Sequence, residues 1–150
     1  MKNIVIITPV YNDWESFTKL VNEINKVISA FKDISFSLIA INDGSKEKAP
    51  SLSLPSNLKM IEILNMRINQ GHAICIANGI KYALKNYQLD NLILMDADGE
   101  DRPEEISDLI KNARELQNVS VVAKRVKRSE GPIFTFFYSL HKNQQNQHFF

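Results

Sequence analysis

The alternation of short apolar runs with longer amphipathic stretches constrains this chain more than any other feature. "NIVIIT" (3–8), "FSLIAI" (36–41), "LKMIEIL" (58–64), "NLILM" (91–95) and "VSVVA" (119–123) have the length and branched content of buried strands. Between them lie helical stripes. From Trp14, apolar residues fall at 14, 17, 20, 21, 24, 27, 28 and 31. A second stripe comprises Ala73, Ile76, Ala77, Ile80, Ala83, Leu84 and Tyr87, and a third Ile106, Leu109, Ile110, Ala113 and Leu116. Strands alternating with helices predict an α/β fold with a mostly parallel sheet, helices on both faces and right-handed crossovers.

Local signals punctuate this pattern. Pro9 closes the first run, and Asn12 with Glu15 resembles a capping box opening the first helix. "NDGS" is a turn after the second strand, and "KEKAPSLSLPSN" is loop. His72 is expected to begin the second helix and not to bind metal. Pro103 fits the first position of the third helix, with Glu104 and Glu105 in a first turn whose dipole favours anions.

A length of 150 residues suits one domain spanning 1–150. Apolar residues make up 44% and the net charge is +1, which gives no electrostatic case for nucleic acid. The single Cys75 cannot form an internal disulfide, so a reducing, cytoplasmic compartment is expected. Polar residues follow "MKNIVIITPVY" too soon for a signal peptide. No stretch approaches the roughly 18 apolar residues that would span a bilayer, so any membrane attachment would be peripheral, at the inner face. Residues 129–150 differ in character. The aromatic "IFTFFYSL" (133–140) reads as a core helix, a self-association surface giving a homo-oligomer, or an interfacial helix meeting lipid. No further clear strand follows, so either the fold is unusually compact or this is the front part of a longer design.

In open α/β sheets ligands bind beyond the carboxyl ends of the strands. Strand one brings Tyr11, Asn12 and Asp13 to that edge, strand two Asp43, and strand four Asp96 and Asp98. In extended chain, residues two apart project to one side, so the acids of "DAD" can face one divalent ion, with Glu100 a third oxygen donor. Carboxylate oxygens suit Mg²⁺ or Mn²⁺. The competing reading is a solvated turn. Asn12 and Asp13 are explained as helix caps, Asp43 as a turn residue, and Tyr11 equally as a rim aromatic or a stacking partner for a nucleobase. The first strand-to-helix turn, "PVYND", lacks the glycines that cradle phosphate in dinucleotide and P-loop proteins, so a phosphate ligand would need a cation. Arg125 and Arg128 of "KRVKR" follow strand five, where phosphate contact competes with simple solvation.

In order, "PVYNDWESF", "INDGSKE", "RINQGHAICIANGIKYAL", "MDADGEDRPEEI" and "VVAKRVKRSEG" with "FFYSL" resemble the motifs of family 2 glycosyltransferases of the GT-A fold. They look closest to the branch acting on polyprenyl phosphates, which includes dolichyl-phosphate mannose synthases and bactoprenol glucosyltransferases. The resemblance runs from residue 3 to about 140. It implies a UDP- or GDP-sugar donor bound by residues 1–128, with transfer to a polyprenyl phosphate or a cell-surface polysaccharide precursor. Pro9, Tyr11, Asp13 and Asp43 would line the nucleoside pocket, beside Asn12. Arg67 and Gly71 would lie near the nucleotide, Asp96, Ala97 and Asp98 at the metal and diphosphate, and Arg125 and Arg128 at phosphate groups. Asn42 departs from the usual Asp, and "GE" and "RP" depart from the usual Leu-Gln and Pro-Pro after the acidic pair.

The implied reaction is metal-assisted inverting displacement, with no general base identifiable. Two other readings remain: a truncated, catalytically silent nucleotide-sugar-binding domain, and a haloacid-dehalogenase-like phosphatase, whose Asp-x-Asp-Gly motif "MDADGE" imitates.

Overall fold

The computed structural model describes residues 2–115. The expected fifth strand, Leu116, Arg125, Arg128 and the segment 129–150 lie outside the described residues. Within them the order is β1 (Lys2–Val10), α1 (Trp14–Ile28), β2 (Ile34–Asn42), β3 (Leu58–Asn65), α2 (His72–Asn86), β4 (Asn91–Leu94) and α3 (Glu105–Glu115). The strands form one sheet in the order β3-β2-β1-β4, and every pair is parallel. The α/β expectation holds.

Strand alternation divides the core. Ile4, Ile6 and Val10 of β1, with Phe36, Leu38 and Ala40 of β2, face a layer built from α1 and α3. Val5, Ile7, Ile39 and Ile41 face α2 on the other side. The α1 stripe is as expected: Trp14, Phe17, Leu20, Val21, Ile24 and Ile28 are buried. On α3, Ile106 and Ile110 are buried, and Ile93 of β4 packs with them.

Four local expectations need correction. β1 does not close at Pro9 but runs on to Val10, with Pro9 opposite Ile41. The proline is tolerated because β4 pairs with Ile4–Ile7, so among the described residues no strand partner waits for an N–H at Pro9 on that side. Asn12 does not cap α1. It sits at φ 54°, and the N-cap is Asp13, whose side chain accepts from the Ser16 N–H at 3.0 Å. The buried face of α2 is Cys75, Gly79 and Ala83, while Ala73, Ala77 and Leu84 are exposed. Finally α3 starts at Glu105, so Pro103 and Glu104 lie in the turn before it.

Gly79 explains how α2 comes so near the sheet. A Cβ there would sit 2.8 Å from Ile7 Cγ2 and 3.1 Å from Ile41 Cδ1. Small residues, not large apolar ones, select the face that docks.

Candidate functional site

The strand order reverses at β1, since β2 and β3 lie to one side and β4 to the other. A crevice opens there beyond the carboxyl ends. It is a cleft of about 240 Å³ bordered by Pro9, Val10, Tyr11, Asp13, Asp43, His72, Asp96, Ala97 and Asp98. A larger cavity, about 690 Å³, follows the outer edge of β4 under α3, past Leu92, Ile93 and Ala113. It lies away from Tyr11 and Asp43.

Each wall has a local cause. At the end of β1, Tyr11 is half exposed at the rim. Asn12 beside it turns away to join the loop after β2: its N–H donates to Ser45 Oγ at 2.9 Å, and its Oδ1 accepts from the Lys46 N–H at 2.8 Å. At the end of β2, Asn42 donates through Nδ2 to Asn65 Oδ1 at 2.8 Å and accepts from the Ser45 N–H at 3.0 Å. This side chain thus joins β2 to β3 and to the turn that follows β2.

Asp43 is buried and clamps the approach to α2. Its two oxygens accept from the Gln70 N–H at 2.7 Å and the Gly71 N–H at 2.9 Å. Burial works to raise its pKa, but hydrogen bonds from Gln70, the Cys75 thiol and Gly71 outweigh it and hold the carboxyl below its ordinary 3.8. In return burial, then the hydrogen bond and charge of Asp43, push the Cys75 thiol up to about 12. Gly44, at φ 69°, lets the two loops cross: a Cβ there would meet the backbone of Ile68 and Asn69 at 2.7 Å.

After β4, burial alternates. Met95 and Ala97 turn inward, Asp96 is half-buried and Asp98 exposed, so the two acids share the cleft side as their spacing predicts. The Asp98 side chain accepts from the Glu100 N–H at 2.9 Å. The Asp96 N–H donates to Asp101 Oδ2 at 2.7 Å, and Asp96 Oδ1 lies 2.6 Å from His72 Nε2. Glu100, Arg67 and Gly71 do not border the cleft; Gly71 instead caps α2 at φ 88°. Among the described residues, no three His, Cys, Asp or Glu side chains gather as a ready metal cage.

Sequence reasoning missed two participants. His72 does begin α2, but it also reaches Asp96, 24 residues away, and Asp101 fixes the Asp96 backbone. No periodicity links such distant positions. The available signal was topological: the start of α2 and the end of β4 meet at the same sheet edge.

Comparison with known proteins decides the family. Residues 5–149 match Glycosyl transferase family 2. The chain belongs to that family. An uncharacterised glycosyltransferase of Synechocystis is 31% identical over 127 residues, 83% of this chain and 38% of that protein. The undecaprenyl-phosphate 4-deoxy-4-formamido-L-arabinose transferase of Photorhabdus laumondii is 28% identical over 141 residues, 89% of this chain and 40% of its own length. The chain thus spans about two fifths of these curated relatives. The crystal structure of S. aureus TarS 1–349 superposes with a TM-score of 0.54 at 19% identity, covering 86% of this chain and 39% of that one, a likeness of fold. Family membership displaces the phosphatase reading: "MDADGE" follows the fourth strand of a glycosyltransferase sheet. Among the described residues no helix is long and apolar enough to cross a membrane.

Proposed function

We propose that this chain binds a nucleoside-diphosphate sugar and acts in inverting transfer of the sugar to an acceptor, a lipid phosphate at the membrane surface. The observation that carries the reading is the cleft at the β1/β4 reversal, where Asp96 and Asp98 face Tyr11 and Asp43 in a family 2 chain. At about 240 Å³ the cleft is smaller than a typical ligand pocket of roughly 300–1,000 Å³. It therefore suits part of the donor, the diphosphate and adjoining ribose, with Tyr11 at its rim for the base.

The donor set fits Mg²⁺ or Mn²⁺. Two hard carboxylates border one cleft, and such ions use one or two carboxylates together with substrate phosphates rather than a protein cage. Asp96 and Asp98 would hold the ion; Glu100 stands outside the cleft lining. When bound, it would supply positive charge opposite the leaving nucleoside diphosphate. The chain's own residues do the rest. Asp43 fixes the loop over the nucleoside side, and Asp98 keeps its exposed carboxylate toward the crevice. Arg125 and Arg128 are proposed as phosphate contacts from their sequence alone. The lipid-phosphate acceptor is supported by the undecaprenyl-phosphate transferase relative. Such an acceptor is already anionic and needs no general base.

Isothermal titration with UDP and with GDP, each with Mn²⁺, tests donor binding. Expected is binding that Asp98→Ala weakens at least tenfold; undiminished binding in that variant would sink the cation bridge. Labelled donors with and without undecaprenyl phosphate then test transfer, and binding without turnover would leave a binding domain only.

A further inference from the structure

Asp96 is tethered at two atoms. Its N–H donates to Asp101, and its Oδ1 lies 2.6 Å from His72 Nε2. A carboxylate oxygen accepts, so the pairing is made by the tautomer with its hydrogen on Nε2. No described residue hydrogen-bonds Oδ2. The imidazole is itself well placed, since His72 is the first residue of α2 and the two preceding N–H groups are held by Asp43. Beneath that loop Gly44 leaves no room for side-chain atoms, which limits how the loop can shift. The His72 side chain is 57% exposed, so its removal opens no cavity in the core. An exposed pair of this kind adds little to folding. Its position on the cleft wall gives it a different use.

We infer that His72 is a positioning residue for Asp96: by holding Oδ1 it fixes the carboxylate rotamer and leaves Oδ2 for the cation and diphosphate of the donor. The inference rests on the functional reading above, in which Asp96 is a cation-binding carboxylate. Partners that orient ligating carboxylates matter because a wandering ligand must be ordered at the moment of binding, and losing them costs roughly 10–100-fold in metal affinity. The same bond links the two sides of the crevice. Asp43 sets Gln70 and Gly71, these set His72, and His72 sets Asp96.

The test is Mn²⁺ binding followed by electron paramagnetic resonance at one fixed pH, with UDP and with GDP present. The full chain is compared with His72→Ala, His72→Gln and Asp96→Ala, and each is also melted. Expected are a loss of about tenfold or more in His72→Ala, rescue of most of it by His72→Gln, whose amide donates at similar reach, and nearly equal melting temperatures for these two and the parent. Equal affinity in the parent and His72→Ala would overturn the inference. So would equal losses in the Ala and Gln variants, or tighter binding in His72→Ala, which would make the imidazole a competitor of the cation. If the parent chain itself fails to bind Mn²⁺ with either nucleotide, both this inference and the functional reading fall. If the parent binds and Asp96→Ala does not, only the behaviour of the His72 variants is at stake.

Discussion

The two faces of the sheet are held by different physics. On one, α1 buries Trp14, Phe17, Leu20, Ile24 and Ile28, and its grip is apolar area. On the other, α2 buries only Cys75, Gly79 and Ala83, and its ends are clasped by carboxylates. Asp43 takes the N–H groups of Gln70 and Gly71 before the helix, and Glu62 of β3 takes the hydroxyls of Tyr82 and Tyr87 at its far end. Apolar contact is nearly indifferent to pH, whereas a carboxylate clasp is not. The helix that carries His72 to the cleft is thus held at both ends by titratable groups. Position there is set by directional bonds added to the apolar contact with Val5, Ile7, Ile39 and Ile41.

The largest expected effect is on the α1 face. Phe17 is fully buried, so Phe17→Ala should cost about 3–5 kcal/mol in denaturant unfolding, with little pH dependence near neutrality. A loss under about 1 kcal/mol would mean that the contrast between faces is overdrawn.

Next comes the clasp before α2. Asp43→Asn retains the shape but loses the charge and one acceptor, leaving a part-buried N–H poorly paired; a loss of about 1–3 kcal/mol is expected at neutral pH. Because the folded carboxyl lies below 3.8, its contribution is present above that value and fades as pH falls through the folded value. The gap between parent and variant should therefore close in acid, as read from unfolding at stepped pH. In the same variant the Cys75 thiol keeps the upward push of burial and loses that of Asp43, so its pKa should fall. A gap that stays constant down to strong acid would break the assignment.

A smaller effect tests the close approach of α2. Gly79→Ala gains about 1 kcal/mol in helix propensity but forces a methyl against Ile7 and Ile41, which costs about 1–3 kcal/mol. A net loss of up to about 2 kcal/mol is expected. Ile7→Ala removes the clashing Cγ2, so the pair of changes together should cost less than their sum. Strict additivity would show that the methyl finds room elsewhere.

These residues also mark how far the sequence could be read. The α1 stripe was legible because its large apolar residues recur at helical spacing. The α2 stripe was misread: Leu84, counted as core, is 65% exposed, while Gly79 was passed over. Hydropathy records what a side chain gains from burial and is blind to a face chosen for smallness. β1 overran Pro9 because only the sheet order reveals that its neighbour on that side has already ended. The cleft was legible for a topological reason, since Tyr11, Asp13, Asp43, Asp96 and Asp98 all follow strands. The ties among them were not. Asn12 to Lys46, Asp43 to Gly71 and His72 to Asp96 join distant segments, and nothing in local spacing announces such partners.

The smallest effect isolates the far clasp. Tyr87 donates to Glu62, and Tyr82 donates to its other oxygen at 2.7 Å. For both hydroxyls the hydrogen bond to Glu62 is the foremost cause raising the pKa above the ordinary 10, with burial and the negative charge of Glu62 adding to it. A group whose folded value is raised stabilises fully below its unfolded value and loses that contribution as pH climbs through the folded one. Tyr87→Phe should therefore cost about 1 kcal/mol near neutrality, and the difference should vanish at strongly alkaline pH. In an ultraviolet titration of native protein, Tyr82 and Tyr87 should ionise above the ordinary tyrosine range, and Glu62→Gln should bring both down. If Glu62→Gln leaves that titration unchanged, Glu62 does not clasp the far end of α2. The two ends of the helix would then differ, with only the Asp43 end fixed by charge.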